Sequence, residues 1–158
     1  MMEKVTLPPV KPRRTEEQIL KECPWATTGR THHRSPNIIT SLELKPEVME
    51  QRNLHLQAKY REVEQKEVRY ETEQCDDADC LIVAFGSAAR IAEKSVELAR
   101  EQGIKAGLFR PITLWPFPSK ALAEMARGKR HILVAEINAG QMIQDVRLAV
   151  DGLAPVSH

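Results

Sequence analysis

The sequence has too few cysteines for a disulfide framework, and the three it has, Cys23, Cys75 and Cys80, are odd in number. It also lacks a signal-like start and any apolar run near membrane length, so a reduced, cytoplasmic protein with no membrane contact is expected. Strong charge of one sign is missing as well. A net charge of +1 gives no global attraction to nucleic acid or anionic membrane. The Cys75/Cys80 spacing matches no iron–sulfur or zinc pattern that one further cysteine closes, so both read as unpaired thiols. His32 and His33 have no carboxylate or cysteine at ligand spacing, and read as an exposed pair in a polar loop.

Several chemical signatures are absent too. No Gly-x-Gly-x-x-Gly follows a strand, no phosphate-binding loop ends in Gly-Lys-Ser/Thr, and no Gly-x-Ser-x-Gly elbow occurs. No pair of acids is placed for acid–base work, and in the C-terminal half only His131 stands inside the chain's apolar pattern, at the first residue of a strand, where a surface position is expected. A catalytic centre complete within this chain is therefore not expected.

What is there divides into three. Residues 1–45 read as an extended arm. Pro8, Pro9, Pro12, Pro24 and Pro36 punctuate it, with a short helix opened by a Thr15-x-x-Gln18 capping box and Trp25 as its anchor. Residues 46–74 read as a long helix that starts at Pro46 and carries a narrow stripe of Met49, Leu56, Tyr60, Val63 and Tyr70. That stripe wants one groove, on its own domain or on a neighbouring subunit. Residues 79–158 read as an α/β domain. Charge follows the division: residues 1–40 hold seven Lys/Arg and four Asp/Glu, residues 41–78 six and ten, and residues 79–158 ten and eight.

The α/β reading rests on alternation. Cys80–Phe85, Ile104–Phe109 and 131–136 are short apolar runs suited to strands buried on both faces. Helical patterns follow each: one with Ile91, Ser95 and Leu98 beside Ala92, Val96 and Ala99, one from Ser119 to about Arg127, and one with Met142, Ile143, Val146, Ala149 and Val150. Arg110–Pro118 reads as a proline-locked loop outside any sheet, and Ala154–Val156 as the start of a fourth strand in a domain clipped at that strand. Strand–helix repetition of this kind predicts a three-layer, mostly parallel open sheet with helices on both faces.

Ligands of such sheets bind beyond the strands' carboxyl ends. That edge is expected to carry Gly86 and Ser87 after the first strand, Arg110 with Thr113 after the second, and Glu136 with Asn138, Gly140 and Gln141 after the third. Helix N-termini there favour an anion, and Arg110 adds a fixed positive charge. The same residues also suit plain structural roles: Ser87 and Asn138 as caps, Gln141 completing a capping box with Asn138, and Arg110 paired with Glu136. The edge residues leave both readings open.

Four strings in order carry a resemblance. VAFGSAARIA (83–92), RPITLWPFP (110–118) and EINAGQM (136–142) together resemble the alpha subunit of 2-oxoacid:ferredoxin oxidoreductases. SLELKPEVMEQRNLHLQAKY (41–60) is similar to the linker helix of the branched-chain, 2-oxoisovalerate class. The resemblance implies a transketolase C-terminal-like domain within an enzyme that uses thiamine diphosphate and iron–sulfur clusters. It further implies conversion of a 2-oxoacid and coenzyme A to acyl-CoA and CO2, with electrons passed to ferredoxin. Partners implied are the pyrophosphate-binding beta, gamma and iron–sulfur delta subunits, with a homodimer left open. The pyrimidine-side domain of that subunit has no counterpart here, so no cofactor or catalytic residue transfers to this chain. Ser87, Arg110, Thr113, Asn138, Gly140 and Gln141 are then expected to form a pocket rim or subunit contact. The rival expectation is a free-standing α/β module that binds a small anion or nucleotide for regulation. A component leaves Trp25 and the helix stripe uncovered, whereas a free module covers both.

Overall fold

The computed structural model describes residues 6–26, 38 and 40–158. His32 and His33 lie outside them. The chain divides into two units, residues 2–54 and 55–158.

In the first unit, α1 (Glu16–Glu22) opens with the expected capping box: the Thr15 hydroxyl accepts the Gln18 N–H at 3.2 Å, and the Gln18 side-chain oxygen accepts the Thr15 N–H at 2.9 Å. Trp25 follows and is 64% exposed. A second helix, α2 (Pro46–Lys66), begins in this unit with proline at its first position and Glu47 in its first turn, and buries none of its residues.

That helix ends earlier than the sequence suggests. It stops at Lys66, and Tyr70–Glu73 forms a strand, β1, where helix was expected through about Glu73. Glu, Arg and Gln make the segment a good helix former, but Tyr70 and Thr72 alternate with Glu71 and Glu73 and meet a neighbouring strand. Tyr70 therefore leaves the helix stripe and stacks on Phe109, ring centroids 5.2 Å apart.

Four further strands complete the sheet: β2 (Cys80–Ala84), β3 (Ala106–Pro111), β4 (His131–Ala135) and β5 (Val156–Ser157), in the order β1-β3-β2-β4-β5. All neighbours run parallel except β1, which pairs antiparallel with β3. The expected open, mostly parallel sheet is present. The second strand, however, starts at Ala106 and includes Arg110 and Pro111, which were expected in a loop outside the sheet. Pro111 can close the strand because it sits at the strand's last position, opposite Tyr70.

Connections between the parallel strands are helices: α3 (Gly86–Glu101), α4 (Ser119–Ala126) and α5 (Met142–Val150). Gly103 and Gly128, both at positive φ, turn the chain out of α3 and α4. Alternation along the strands sorts the core. Leu81, Val83, Phe109, Ile132 and Val134 point to one face and meet Leu122, Val146 and Val150 of α4 and α5. Ala84, Ala106 and Leu108 point to the other and meet Ala89, Ala92 and Val96 of α3. Each fully buried aliphatic side chain contributes about 1.5–3 kcal/mol of transfer free energy, so the α4/α5 layer, with the larger residues, carries more of the stability.

The link from β1 to β2 is fixed by cations. The Arg100 guanidinium donates to the carbonyls of Ala106 and Gln74 and pairs with Asp77, each at 2.7 Å, and Lys129 Nζ donates to the carbonyls of Cys75 and Ala78. No helix among the described residues is long and apolar enough to cross a membrane.

Candidate functional site

Around the carboxyl edge of the parallel strands, the six candidate residues fall in four settings: the first turn of α3, the end of β3, the loop after β3 and the turn after β4. Ser87 lies inside the first turn of α3 and does not cap it. The N-cap position is Phe85, which has no side-chain cap, and Gly86 makes the turn with φ +56°. The strand enters the helix directly through glycine, so no hydroxyl is recruited.

Arg110 reaches across the β3–β1 pairing to Glu71, Nη1 to carboxylate 2.9 Å. The expected partner, Glu136, is taken up elsewhere. The unforeseen strand β1 brings Glu71 directly opposite Arg110, a relation invisible without the pairing. A groove of about 480 Å³ runs beside this pair, lined by Glu71, Glu73, Arg90, Glu93, Arg110 and the Gly86 turn. Of the six candidates, only Arg110 lines it, next to the turn that precedes Ser87.

Thr113 works as a clamp. Its hydroxyl accepts the Arg69 N–H at 3.0 Å and donates to the Pro116 carbonyl at 2.9 Å, binding the start of β1 to the loop after β3. That loop contains a cis Trp115–Pro116 bond, and Trp115 meets Tyr60 of α2 edge-on, centroids 5.5 Å apart.

Asn138, Gly140 and Gln141 form the turn after β4. Asn138 does not cap α5, and no capping box forms. Its Oδ1 instead accepts the N–H groups of Gly140 at 2.8 Å and Gln141 at 3.1 Å, and Gln141 becomes the N-cap residue without a side-chain bond. The cap is Glu136. Its two carboxylate oxygens accept the N–H groups of Met142 at 3.0 Å and Ile143 at 3.1 Å, the first donors of the helix. No side-chain surface of Glu136 is exposed, and His158 Nε2 lies 3.6 Å from Oε1. Burial pushes the Glu136 pKa up, but the N–H groups of Met142 and Ile143, the Asn138 side chain and the Gln141 N–H outweigh it and hold the carboxyl below its ordinary value. Gly140 adopts φ +98°, and a β-carbon there would stand 3.3 Å from Ile143 and 3.5 Å from His158. Sequence reading placed Glu136 at this edge as a partner for Arg110 but missed it as the cap, because a carboxylate six residues ahead of a helix matches no local capping pattern.

The cofactor chemistry implied by the resemblance can be tested against these side chains. Iron–sulfur clusters need several thiolates. The Cys75 thiol is buried, donates to the Leu108 carbonyl at 3.1 Å, and has its pKa raised chiefly by that burial. It is a packed thiol and not a cluster ligand. Among the described residues no group of three or more His, Cys, Asp or Glu is placed to hold a metal, so these residues do not fit a cluster or the divalent cation of a bound diphosphate. At the strand edge Glu136 caps α5, Thr113 clamps the start of β1, and Arg110 pairs with Glu71.

Residues 78–158 match the family model described as pyruvate:ferredoxin oxidoreductase core domain II. The ketoisovalerate oxidoreductase subunit VorB of Methanothermobacter thermautotrophicus is 41% identical over 88% of this chain, and the match covers 40% of that relative. The 2-oxoglutarate synthase subunit KorA of Archaeoglobus fulgidus is 30% identical over 92% of this chain and 41% of its own length. The chain thus spans about two fifths of the curated relatives it matches. A structure of the 2-oxoglutarate:ferredoxin oxidoreductase from Magnetococcus marinus, with 2-oxoglutarate, coenzyme A and succinyl-CoA bound, shares the fold at a TM-score of 0.60 and 19% identity, over 73% of this chain and 20% of that one. The chain belongs to the pyruvate:ferredoxin oxidoreductase core domain II family, among the subunits of 2-oxoacid:ferredoxin oxidoreductases.

Proposed function

We propose that this chain is the C-terminal part of an alpha-type subunit in a cytoplasmic, thiamine-diphosphate and iron–sulfur 2-oxoacid:ferredoxin oxidoreductase. The complete enzyme converts a 2-oxoacid and coenzyme A to acyl-CoA and CO2 and passes the electrons to ferredoxin. The observation that carries this reading is the 41% identity across 88% of the chain to a ketoisovalerate oxidoreductase subunit. Identity to the 2-oxoglutarate synthase relatives is lower, 38% over half the chain and 30% over most of it, which favours a branched 2-oxoacid such as 2-oxoisovalerate as substrate. Thiamine diphosphate and the clusters are held by the beta, gamma and delta partners and by the remainder of the alpha subunit. This chain supplies subunit contacts and a pocket rim, with Arg110 and the Asn138–Met142 turn as its contributions.

Exposed apolar residues support a component over a free module. Trp25 is 64% exposed and Tyr60 41%, and α2 buries nothing, as expected of surfaces that partners cover. A regulatory module binding a small anion has one feature in its favour, the groove beside Gly86 and Arg110. Glu71, Glu73 and Glu93 share that groove with its two arginines and oppose an anion there. The solution mass of the purified chain, with thiamine diphosphate, coenzyme A and 2-oxoisovalerate titrated in turn, separates the readings. A component binds none of them alone, whereas a compact monomer taking up any one at micromolar strength would favour the module.

A further inference from the structure

The opening of the arm is held extended by its own covalent chemistry. Pro8, Pro9 and Pro12 have φ locked near about −65°, and Leu7, Pro8 and Lys11 each precede a proline, which pushes them away from helix. Residues 6–12 accordingly enter no helix or strand. At about three residues per turn, the polyproline-II repeat puts Leu7 and Val10 on one ridge and Pro9 and Pro12 on the next. Leu7 is 80% and Val10 90% exposed. Arg13 follows at a bend and forms no ion pair among the described residues, whereas Arg14 pairs with Glu22.

A groove of about 720 Å³ opens between the end of α2, the start of β1 and the loop after β3. Val68, Tyr70, Trp115 and Phe117 line it, together with Pro116 and Pro118. Trp115 is 57% exposed and is held edge-on by Tyr60. Glu64 and Glu124 belong to the same lining and form no ion pair among the described residues. The stretch from Glu62 to Glu73 holds five acids and two cations, whereas residues 6–14 hold three cations and no acid.

We propose that two copies of this chain exchange arms, the Leu7–Arg13 segment of each seating as a polyproline-II ligand in the aromatic groove of the other. A segment already stiff and extended loses little freedom on docking, and proline rings pack between aromatic side chains. Its carbonyls, which a polyproline-II backbone leaves unpaired, find donors in the groove at Gln65, Ser119 and the Trp115 indole. Arg13, at the end of the apolar ridges, meets the unpaired carboxylates of Glu64 and Glu124. Charge of opposite sign on the two surfaces fixes the pairing of arm with groove. A segment this exposed in the single chain is available to a neighbour, and a two-fold exchange fills both grooves at once. The exchange stands independently of the component reading above.

The test is sedimentation equilibrium of four samples: the full chain, Trp115→Ala, the double variant Pro9→Ala/Pro12→Ala, and the two variants mixed. The three side chains are exposed, so both variants should keep the circular dichroism of the parent. Expected is a dimer of the parent chain that either variant weakens about tenfold or more. Mixing the variants should return part of the dimer, because one intact groove then meets one intact arm. Raising the salt should weaken the parent dimer severalfold through Arg13. A dimer whose strength neither variant changes would overturn the exchange, as would variants that gain no dimer on mixing. A monomeric parent overturns it too. If replacing the prolines in such a monomer raised hydroxyl-radical labelling of Trp115, the groove would be filled by the chain's own arm.

Discussion

Glu136 caps a helix whose first residue, Met142, lies six positions further on, with Oε2 3.0 Å from the Met142 amide nitrogen and Oε1 3.1 Å from that of Ile143. The carboxylate ties the end of a parallel strand to the helix that follows it. Between them the Asn138 side chain holds the turn, its Oδ1 accepting the Gly140 and Gln141 N–H groups.

Replacing Glu136 by Gln keeps the shape and removes the charge. At neutral pH the variant should be less stable by about 1–2 kcal/mol, the usual worth of a cap made by charge-assisted bonds. Because the folded state holds this carboxyl below its ordinary value of 4.5, its contribution is complete above that value and fades as pH falls through the folded pKa. Denaturation midpoints of the two proteins, taken at neutral and acid pH, should differ first and then converge. A constant difference would remove the charge from the account.

Two glycines make a contrasting pair. A β-carbon on Gly107 would stand 2.8 Å from the Gln74 carbonyl oxygen and 2.9 Å from Cys75 Cα, both backbone atoms, whereas one on Gly86 meets nothing within 4 Å. Gly107→Ala should therefore cost about 1–3 kcal/mol through steric overlap. Gly86→Ala, at φ +56°, should cost about 1–2 kcal/mol through backbone strain alone. Thermal unfolding reads both, and a tolerated Gly107→Ala would contradict the close approach of the 74–78 turn.

Arginines 100 and 110 should respond differently. The Arg100 side chain is 22% exposed and bonds two carbonyls besides Asp77, so Arg100→Ala should loosen the 74–79 turn and lower stability by about 1–3 kcal/mol. Arg110 pairs with Glu71 where both are about half exposed, and Arg110→Ala should change stability by less than about 1 kcal/mol. A marked fall in assembly or turnover of the complete enzyme with Arg110→Ala would then report a contact with a partner. Unchanged assembly and turnover would remove Arg110 from the proposed rim.

The three thiols should differ in rate. Cys75 is buried with a raised pKa, while Cys23 and Cys80 are partly exposed. A thiol reagent at neutral pH should modify Cys75 last, and at full rate only after unfolding. Rapid modification of Cys75 in the folded chain would contradict its packing against Leu108.

Much of this fold was legible. Apolar runs at 80–85 and 131–136 gave β2 and β4, and the rows holding Ala92 and Val96 gave α3, because burial on both faces and helical spacing are local signals. What escaped depends on partners distant in sequence. Tyr70–Glu73 is a strand only because β3 offers it an edge, and Arg110 finds Glu71 only through that pairing. Asn138 was the natural local cap, yet Glu136 holds the helix from outside any capping pattern. The candidate residues lie at or near the carboxyl ends of the strands, with Arg110 inside β3, and their hydrogen-bond and ion-pair partners were decided by tertiary contacts.

The most direct test of the central proposal is ferredoxin reduction by the complex purified on this chain, with coenzyme A present and 2-oxoisovalerate, 2-oxoglutarate and pyruvate supplied in turn. The account predicts coenzyme A-dependent reduction that is fastest with 2-oxoisovalerate. Reduction fastest with another 2-oxoacid would contradict the substrate class, and no 2-oxoacid-dependent reduction by a complex containing this chain would contradict the proposed role itself.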